Sequence, residues 1–94
     1  VVVYVSEAGL PVWSDPGRLL VEAALSAGHV VDVVPGPTAA TLALCVSGFE
    51  AEGARFIGFV PRSGPPRNEA LDDILRDGGA SLIYEAGGRV GGLL

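Results

Sequence analysis

Two valine-rich runs on either side of a helical segment constrain the fold of this chain more than any other feature. Residues 1–5 read VVVYV and residues 30–34 read VVDVV, so both runs are short, apolar and mostly β-branched. Such runs are typical of strands that are buried on both faces of a parallel sheet. Strand, helix and strand within about 35 residues predict a βαβ unit with a right-handed crossover. The chain is therefore predicted to be an α/β protein.

The helix between the two runs has recognisable start and stop residues. Asp15 is predicted to cap it, and Pro16 to occupy its first position, where a missing N–H has no consequence. Gly28 is predicted to end it in a left-handed conformation. One apolar face follows from the i, i+3, i+4, i+7 spacing of Leu20, Ala23, Ala24 and Ala27.

The rest of the chain continues the alternation of helices and strands. Thr38, which follows the Pro35-Gly36-Pro37 turn, is predicted to cap a helix over residues 39–46. The later elements are a strand over 56–60, a loop over 61–66, a helix over 68–76, a strand over 81–84, a turn over 85–88 and a helix from residue 89.

Composition excludes several classes of function. One cysteine, Cys45, and one histidine, His29, exclude an internal disulfide and a Cys- or His-rich metal centre, so no metal site is predicted. The apolar runs are far shorter than the roughly 20 residues that cross a bilayer. P-loop and GxGxxG patterns are missing. The net charge of −5 argues against nucleic-acid binding, except over residues 54–68, which hold three arginines and no acid.

Three loops follow predicted strands and are candidate functional sites. In open α/β sheets, ligands bind beyond the carboxyl ends of the strands. The loop over residues 6–15 contains Ala8 and Gly9, whose small size lets a ligand approach the backbone. The turn over residues 35–38 lies at the same predicted edge, so the two loops are expected to face one cleft. An ordinary βα loop and an interdomain hinge are the alternatives for these two segments.

The third loop combines Tyr84, Glu85 and Arg89, which could orient a substrate. A surface salt bridge between Glu85 and Arg89 is the more common use of such residues.

Five segments of the chain occur in an order that resembles a known family. They read VSEAGLP at 5–11, SDPG at 14–17, VPGPTA at 34–39, GFVPR at 58–62 and YE at 84–85. This series is similar to the tetrapyrrole methylase superfamily and, within it, to the ribosomal RNA small-subunit methyltransferase I subfamily. The chain departs from the subfamily pattern at Glu7, Leu10, Trp13 and residues 86–88.

The resemblance implies a two-domain α/β architecture of which this chain is the middle part. Residues 1–34 would end the N-terminal domain, residues 35–37 would form a hinge, and residues 38–94 would begin the C-terminal domain. It also implies methylation of a cytidine ribose 2′-hydroxyl in small-subunit rRNA, with S-adenosylmethionine as the cofactor in the cleft between the domains. The expected protein is cytoplasmic, has no membrane anchor and is a homodimer.

Site residues are carried over from the family motifs position by position. The cofactor set comprises Ser6, Glu7, Ala8, Gly9, Leu10, Pro11, Trp13, Pro37, Thr38, Ala39 and Tyr84. Glu85 is the candidate base for the hydroxyl proton, and Arg62, Arg67 and Arg89 are the candidate RNA contacts. Two alternatives stay open: a tetrapyrrole or corrin C-methyltransferase of the same superfamily, and an inactive truncated copy that acts only as an oligomerising or interaction module.

Overall fold

The computed structural model describes all 94 residues, Val1–Leu94, as an α/β chain with two compact units. The units comprise Val1–Leu42 and Ala43–Leu94. In chain order the elements are α1 (Arg18–Ser26), α2 (Ala39–Ser47), β1 (Arg55–Phe59), α3 (Gly64–Asp77), β2 (Ser81–Tyr84) and a 3₁₀ helix (Gly87–Gly92). The α/β class is confirmed, whereas the hinge at residues 35–37 and the domain bounds beside it stay predictions.

Helix α1 begins later than the sequence predicts. Its N-cap is Gly17, with φ of 125°, and no side chain caps the helix, so the predicted roles of Asp15 and Pro16 are wrong. Only glycine adopts this backbone conformation readily. A Cβ atom at Gly17 would also lie 2.8 Å from the Tyr4 ring. The chain therefore turns at a glycine before the helix starts.

The end of α1 is as predicted. Gly28 has φ of 78°, and its N–H donates to the Leu25 carbonyl at 3.0 Å. The His29 N–H donates to the Ala24 carbonyl, also at 3.0 Å. These two bonds form a Schellman motif, which satisfies carbonyls that the helix end leaves free.

The two valine-rich runs are not strands, so the opening prediction for residues 1–5 and 30–34 is wrong. Neither run pairs with another strand, and Val30 and Val34 are 95% and 87% exposed. β-Branched side chains favour an extended backbone, but a sheet also requires a neighbouring strand for its N–H and C=O groups. A valine-rich sequence indicates that the residues favour an extended backbone, but it does not show whether a neighbouring strand is present.

The second unit contains a complete β1–α3–β2 crossover. The two strands are parallel, with Arg55 opposite Ser81 and Phe59 opposite Tyr84. The register is irregular between Phe56 and Gly58, and Gly58 has φ of 75°. Bulges of this kind bend a strand and redirect the side chains that follow. Val60, directly after β1, is one of the two buried apolar side chains of the chain.

Helix α3 starts earlier than the sequence predicts, at Gly64 rather than Asn68. Pro65 and Pro66 lie in its first turn, where N–H groups have no partner within the helix, so proline is tolerated. Gly78 ends the helix with φ of 71°. No helix of the chain combines the length and apolar character that a bilayer crossing requires.

Candidate functional site

The loop over residues 6–11 and the turn at Pro37 meet through their backbones. The Leu10 N–H donates to the Pro37 carbonyl at 3.2 Å. Gly9 has φ of 73°, and a Cβ atom there would lie 2.6 Å from the same carbonyl oxygen. The Ser6 hydroxyl donates to the Gly9 carbonyl at 2.7 Å and closes the loop. The two loops that the sequence predicts at one site are therefore in contact, and the contact requires glycine.

The cap of α2 fixes the other side of this contact. The Thr38 hydroxyl accepts the Thr41 N–H at 3.2 Å, which confirms the predicted cap. The two threonine hydroxyls also lie 2.8 Å apart, and Thr41 Oγ1 donates to the Thr38 carbonyl at 3.0 Å. Ala40, in the first turn, is 4% exposed. Thr38, which follows Pro37, is therefore held by the hydrogen bonds of the α2 cap, and Ala40 is buried two residues later.

Two residues next to the loop carry an unusual backbone. Val12 and Ser14 have φ of 74° and 58°, although neither is glycine. A β-branched residue rarely adopts positive φ, and such a conformation costs about 1–3 kcal/mol. Strain of this size is concentrated at binding loops and catalytic sites in proteins. Trp13, about half exposed, lies between the two strained residues.

The loop can accommodate the amino-acid part of a cofactor. Glu7, Ala8 and Gly9 are exposed, and the backbone groups of Glu7 and Ala8 form no hydrogen bond within the chain. Exposed N–H groups can donate to a carboxylate, and exposed carbonyls can accept from an ammonium group. The methionine end of S-adenosylmethionine carries both charges, so the residues present fit this group.

The remaining predicted cofactor residues of this unit differ in exposure. Ser6, Leu10, Pro11 and Thr38 are half-buried, whereas Pro37 and Ala39 are exposed. Tyr84 belongs to the other unit, at the end of β2, where its ring contacts those of Phe56 and Phe59 edge to face at 5.2 and 5.6 Å. The assignment of all these residues to a cofactor stays a prediction.

A charged cluster of Arg67, Glu85 and Arg89 lies in the second unit. Glu85 Oε1 accepts from Arg89 Nε at 2.9 Å, Arg89 Nη2 at 2.6 Å and the Ala86 N–H at 2.9 Å. Glu85 Oε2 lies 3.6 Å from Arg67 Nη1, which also donates to the Pro61 carbonyl at 3.0 Å. The side chains of Glu85, Arg67 and Arg89 are 6%, 13% and 43% exposed.

The same contacts determine the charge state of the carboxyl group. The Ala86 N–H and then the Arg89 guanidinium hold the pKa of Glu85 below its usual range, while desolvation opposes them. The positive charges of Arg89 and Arg67 act in the same direction as the hydrogen bonds. Glu85 is therefore ionised at neutral pH, and the cluster has a net charge of about +1.

Sequence reasoning missed the contact between Arg67 and Glu85. The two residues are far apart in the chain, and the sequence predicts a helix only from residue 68, so Arg67 falls between the predicted loop over 61–66 and that helix. In the structure Arg67 lies in the first turn of α3. The prolines that precede Arg67 were the available signal, because proline is favoured in the first turn of a helix. Arg62, the other predicted RNA contact, is exposed and forms no ion pair. No group of three or more His, Cys, Asp or Glu side chains is placed to hold a metal ion.

Comparison with known proteins gives a consistent family. Residues 1–94 match the family model described as Tetrapyrrole (Corrin/Porphyrin) Methylases. The chain is 42% identical to Ribosomal RNA small subunit methyltransferase I of Mycobacterium tuberculosis, over 99% of this chain and 33% of the relative. The protein of the same name from Thermotoga maritima is 44% identical over 90% of this chain and 38% of its own length. The chain thus spans about a third of the length of these curated relatives.

Proposed function

Because the chain belongs to the tetrapyrrole methylase family, we propose that it is part of an S-adenosylmethionine-dependent methyltransferase. The proposed acceptor is a cytidine ribose 2′-hydroxyl in small-subunit rRNA. The names of the relatives support the rRNA substrate, since they describe ribosomal RNA small subunit methyltransferases. A cytoplasmic location, where ribosomal subunits are made in bacteria, is part of the same proposal.

The observation that carries the proposal is the backbone contact between Gly9 and Pro37. It brings two family motifs, at residues 5–11 and 34–39, to one place in the fold. The exposed backbone groups of Glu7 and Ala8 provide both donors and acceptors there. We propose that this surface binds the methionine end of the cofactor, with Ser6, Leu10, Pro11, Trp13, Thr38 and Ala39 completing the cofactor set of this unit. The assignment of Tyr84 to the cofactor stays a prediction.

The contribution of the chain to the reaction is binding and orientation. When bound, S-adenosylmethionine supplies a methyl group that is activated by attachment to a positively charged sulfur. The close approach of Gly9 to the Pro37 carbonyl fixes the path of the loop over residues 6–11. A loop with a fixed path would hold the methyl donor in one orientation. Alignment of two reactants in this way can lower a barrier by about 7–11 kcal/mol in favourable cases.

The arginines are proposed to contact the RNA. Arg62, Arg67 and Arg89 belong to the second unit, and Arg62 and Arg67 follow β1 within eight residues of its end at Phe59. Guanidinium groups suit phosphate oxygens, because their N–H groups form a planar fork. The prediction that Glu85 accepts the hydroxyl proton stays a prediction, and its ion pairs favour a different role.

The test is methyl transfer by the full-length protein to small-subunit rRNA. We expect radiolabel from S-adenosylmethionine to enter a single cytidine, and mass spectrometry of the digested RNA to find the methyl group on its ribose. Transfer to a corrin or porphyrin acceptor and not to RNA would contradict the substrate and retain the family chemistry. Binding of the cofactor without transfer to either acceptor would contradict the proposed activity.

The oligomeric state is a separate prediction. The homodimer is a prediction that the resemblance to the family implies. Light scattering of the full-length protein distinguishes the predicted homodimer from a monomer.

A further inference from the structure

We propose that the Arg67–Glu85–Arg89 cluster is a preorganised binding site for a backbone phosphate of the RNA, in which Glu85 is a positioning residue and not the base. The inference rests on the proposed function, because it takes RNA as the substrate. It differs from the sequence-based hypothesis, in which Glu85 removes the hydroxyl proton.

The surroundings of Glu85 are those of a group that holds other side chains. Its Oε1 atom already accepts three hydrogen bonds, and its Oε2 atom faces Arg67. Its side chain is 6% exposed, which leaves little surface for contact with an external hydroxyl group. A base must come within about 2.6–3.2 Å of the proton that it removes. Oε2 is the oxygen that accepts no hydrogen bond, and to reach a hydroxyl through it the buried Glu85 side chain would have to move away from Arg67.

The arginines retain hydrogen-bonding capacity beyond Glu85. Arg89 uses Nε and Nη2 on the carboxylate, and its Nη1 group forms no hydrogen bond. Arg67 Nη1 donates to the Pro61 carbonyl and forms an ion pair with Glu85 Oε2 at 3.6 Å, and its Nη2 group forms no hydrogen bond. Each guanidinium carries five N–H donors. Arg89, whose side chain is 43% exposed, offers the more accessible of them to an anion, and Arg67, 13% exposed, contributes mainly its charge. Two positive charges around one negative charge leave the cluster attractive to phosphate.

The position of the cluster in the fold supports a ligand site. Arg67 lies in the first turn of α3, Glu85 directly follows β2, and Pro61 lies two residues after β1. All three therefore lie at the carboxyl edge of the parallel pair, where α/β proteins bind ligands.

Aromatic side chains at the same edge favour RNA over a small inorganic anion. Phe59 and Tyr84 are the last residues of β1 and β2, and Phe59 is 61% exposed. Exposed aromatic rings near basic groups are typical of single-stranded nucleic-acid sites, where bases stack on the rings. A phosphate held by the two arginines would bring neighbouring bases towards this edge.

Glu85 contributes by reducing the freedom of the two guanidinium groups. A long arginine side chain that is already held loses less conformational entropy when a ligand binds. The hydrogen bond from Arg67 to the Pro61 carbonyl likewise restricts the Arg67 side chain. Removal of the carboxylate charge would raise the positive charge of the cluster and weaken the hold on Arg89, whereas Arg67 keeps its bond to Pro61. The added charge alone would strengthen RNA binding, and the loss of order in Arg89 would weaken it.

The experiment measures RNA binding and methyl transfer by variants of the full-length protein. Binding is followed by fluorescence anisotropy with a single-stranded oligoribonucleotide from small-subunit rRNA, at several salt concentrations. The variants are Arg89→Ala, Arg89→Lys and Glu85→Gln. Arg76→Ala is the matched control, because Arg76 pairs only with Asp73 on the exposed surface of α3.

We expect Arg89→Ala to weaken RNA binding about tenfold and to reduce the salt dependence by about 0.7 per lost phosphate contact. Arg89→Lys keeps the charge but loses the fork, so we expect only partial rescue. Glu85→Gln should raise the KM for RNA several-fold and leave kcat unchanged at saturating RNA. Arg76→Ala should bind RNA as the wild type does.

Three results would overturn the inference. A loss of kcat by about 10²–10⁴ in Glu85→Gln, with unchanged RNA affinity, would identify Glu85 as the base. Tighter RNA binding by Glu85→Gln would show that charge and not positioning decides affinity. Unchanged RNA affinity of folded Arg89→Ala, checked by circular dichroism, would reduce the cluster to a structural ion pair.

Failure of the proposed function gives a different pattern. A wild-type protein that transfers no methyl group to RNA contradicts the function, whatever the variants do. The anisotropy comparison between Arg89→Ala and Arg76→Ala still tests the phosphate site in that case, because it requires no methyl transfer.

Discussion

The two candidate sites are built by different physical means. The site in Val1–Leu42 consists of backbone, with a glycine packed against a carbonyl group and a threonine cap beside it. The site in Ala43–Leu94 consists of charged side chains that satisfy one another. A site of the first kind should respond to side-chain volume, and a site of the second kind to charge and pH. This difference separates the cofactor-binding and RNA-binding parts of the account.

The largest expected effect is that of Gly9→Ala on cofactor affinity. The new Cβ atom would lie 2.6 Å from the Pro37 carbonyl oxygen and would push the two loops apart. We expect S-adenosylhomocysteine, measured by calorimetry with the full-length protein, to bind about 100-fold more weakly, or by roughly 3 kcal/mol.

Gly28→Ala is the matched control for this substitution. Gly28 has φ of 78°, close to the 73° of Gly9, but nothing lies within 4 Å of its Cβ position. Its substitution should cost about 1 kcal/mol of stability and leave cofactor affinity unchanged. Equal losses of affinity in both variants would show that backbone strain, and not the contact with Pro37, is responsible.

An intermediate effect is expected from acid on the charged site. Because the folded pKa of Glu85 is lowered, its contribution to stability is fully present above the unfolded pKa of about 4.3 and is lost as the pH falls through the folded value. Thermal unfolding of wild type and Glu85→Gln should therefore differ at pH 6, and the difference should shrink steadily as the pH falls below the unfolded pKa.

Glu22→Gln is the control that tests whether loss of any surface ion pair changes the pH dependence of thermal stability. Glu22 pairs with Arg18 at 2.7 Å, but both side chains are largely exposed, so the pair contributes little. A difference between wild type and Glu85→Gln that does not shrink as the pH falls below the unfolded pKa would contradict the role given to the carboxylate charge.

The smallest expected effect concerns the strained segment beside the first site. Val12→Gly relieves a positive φ, and we expect it to stabilise the protein by about 0.5–1 kcal/mol despite the flexibility of glycine. Val33→Gly, at an exposed valine without positive φ, should instead destabilise it by a similar amount. Urea midpoints measure both changes, and an equal destabilisation by the two variants would show that Val12 is not strained.

Local signals in the sequence predicted much of the fold. Thr38 caps α2 and Gly28 ends α1 as expected, because both effects depend on bonds to residues within five positions. The start of α3 was missed, since Pro65 and Pro66 resemble a loop until their place in a first turn is known. Residues 1–5 and 30–34 were predicted as strands from composition, although pairing depends on a neighbour that composition does not reveal.

The candidate sites were predictable to different extents. The meeting of the Gly9 and Pro37 loops followed from their common position after predicted strands, even though those strands do not form. Glu85 was found by its place after β2, but its burial and its contact with Arg67 depend on the packing of α3. A role for a charged residue requires its surroundings, and these come from distant parts of the chain.

The most direct test of the central claim is a nuclear magnetic resonance titration of the full-length protein with S-adenosylhomocysteine. We predict saturable binding, with the largest changes in amide chemical shift at Glu7, Ala8 and Gly9 and with small changes at Arg67 and Arg89. Saturable binding that leaves residues 7–9 unchanged, or the absence of binding at millimolar ligand, would contradict the assignment of this loop as the cofactor site.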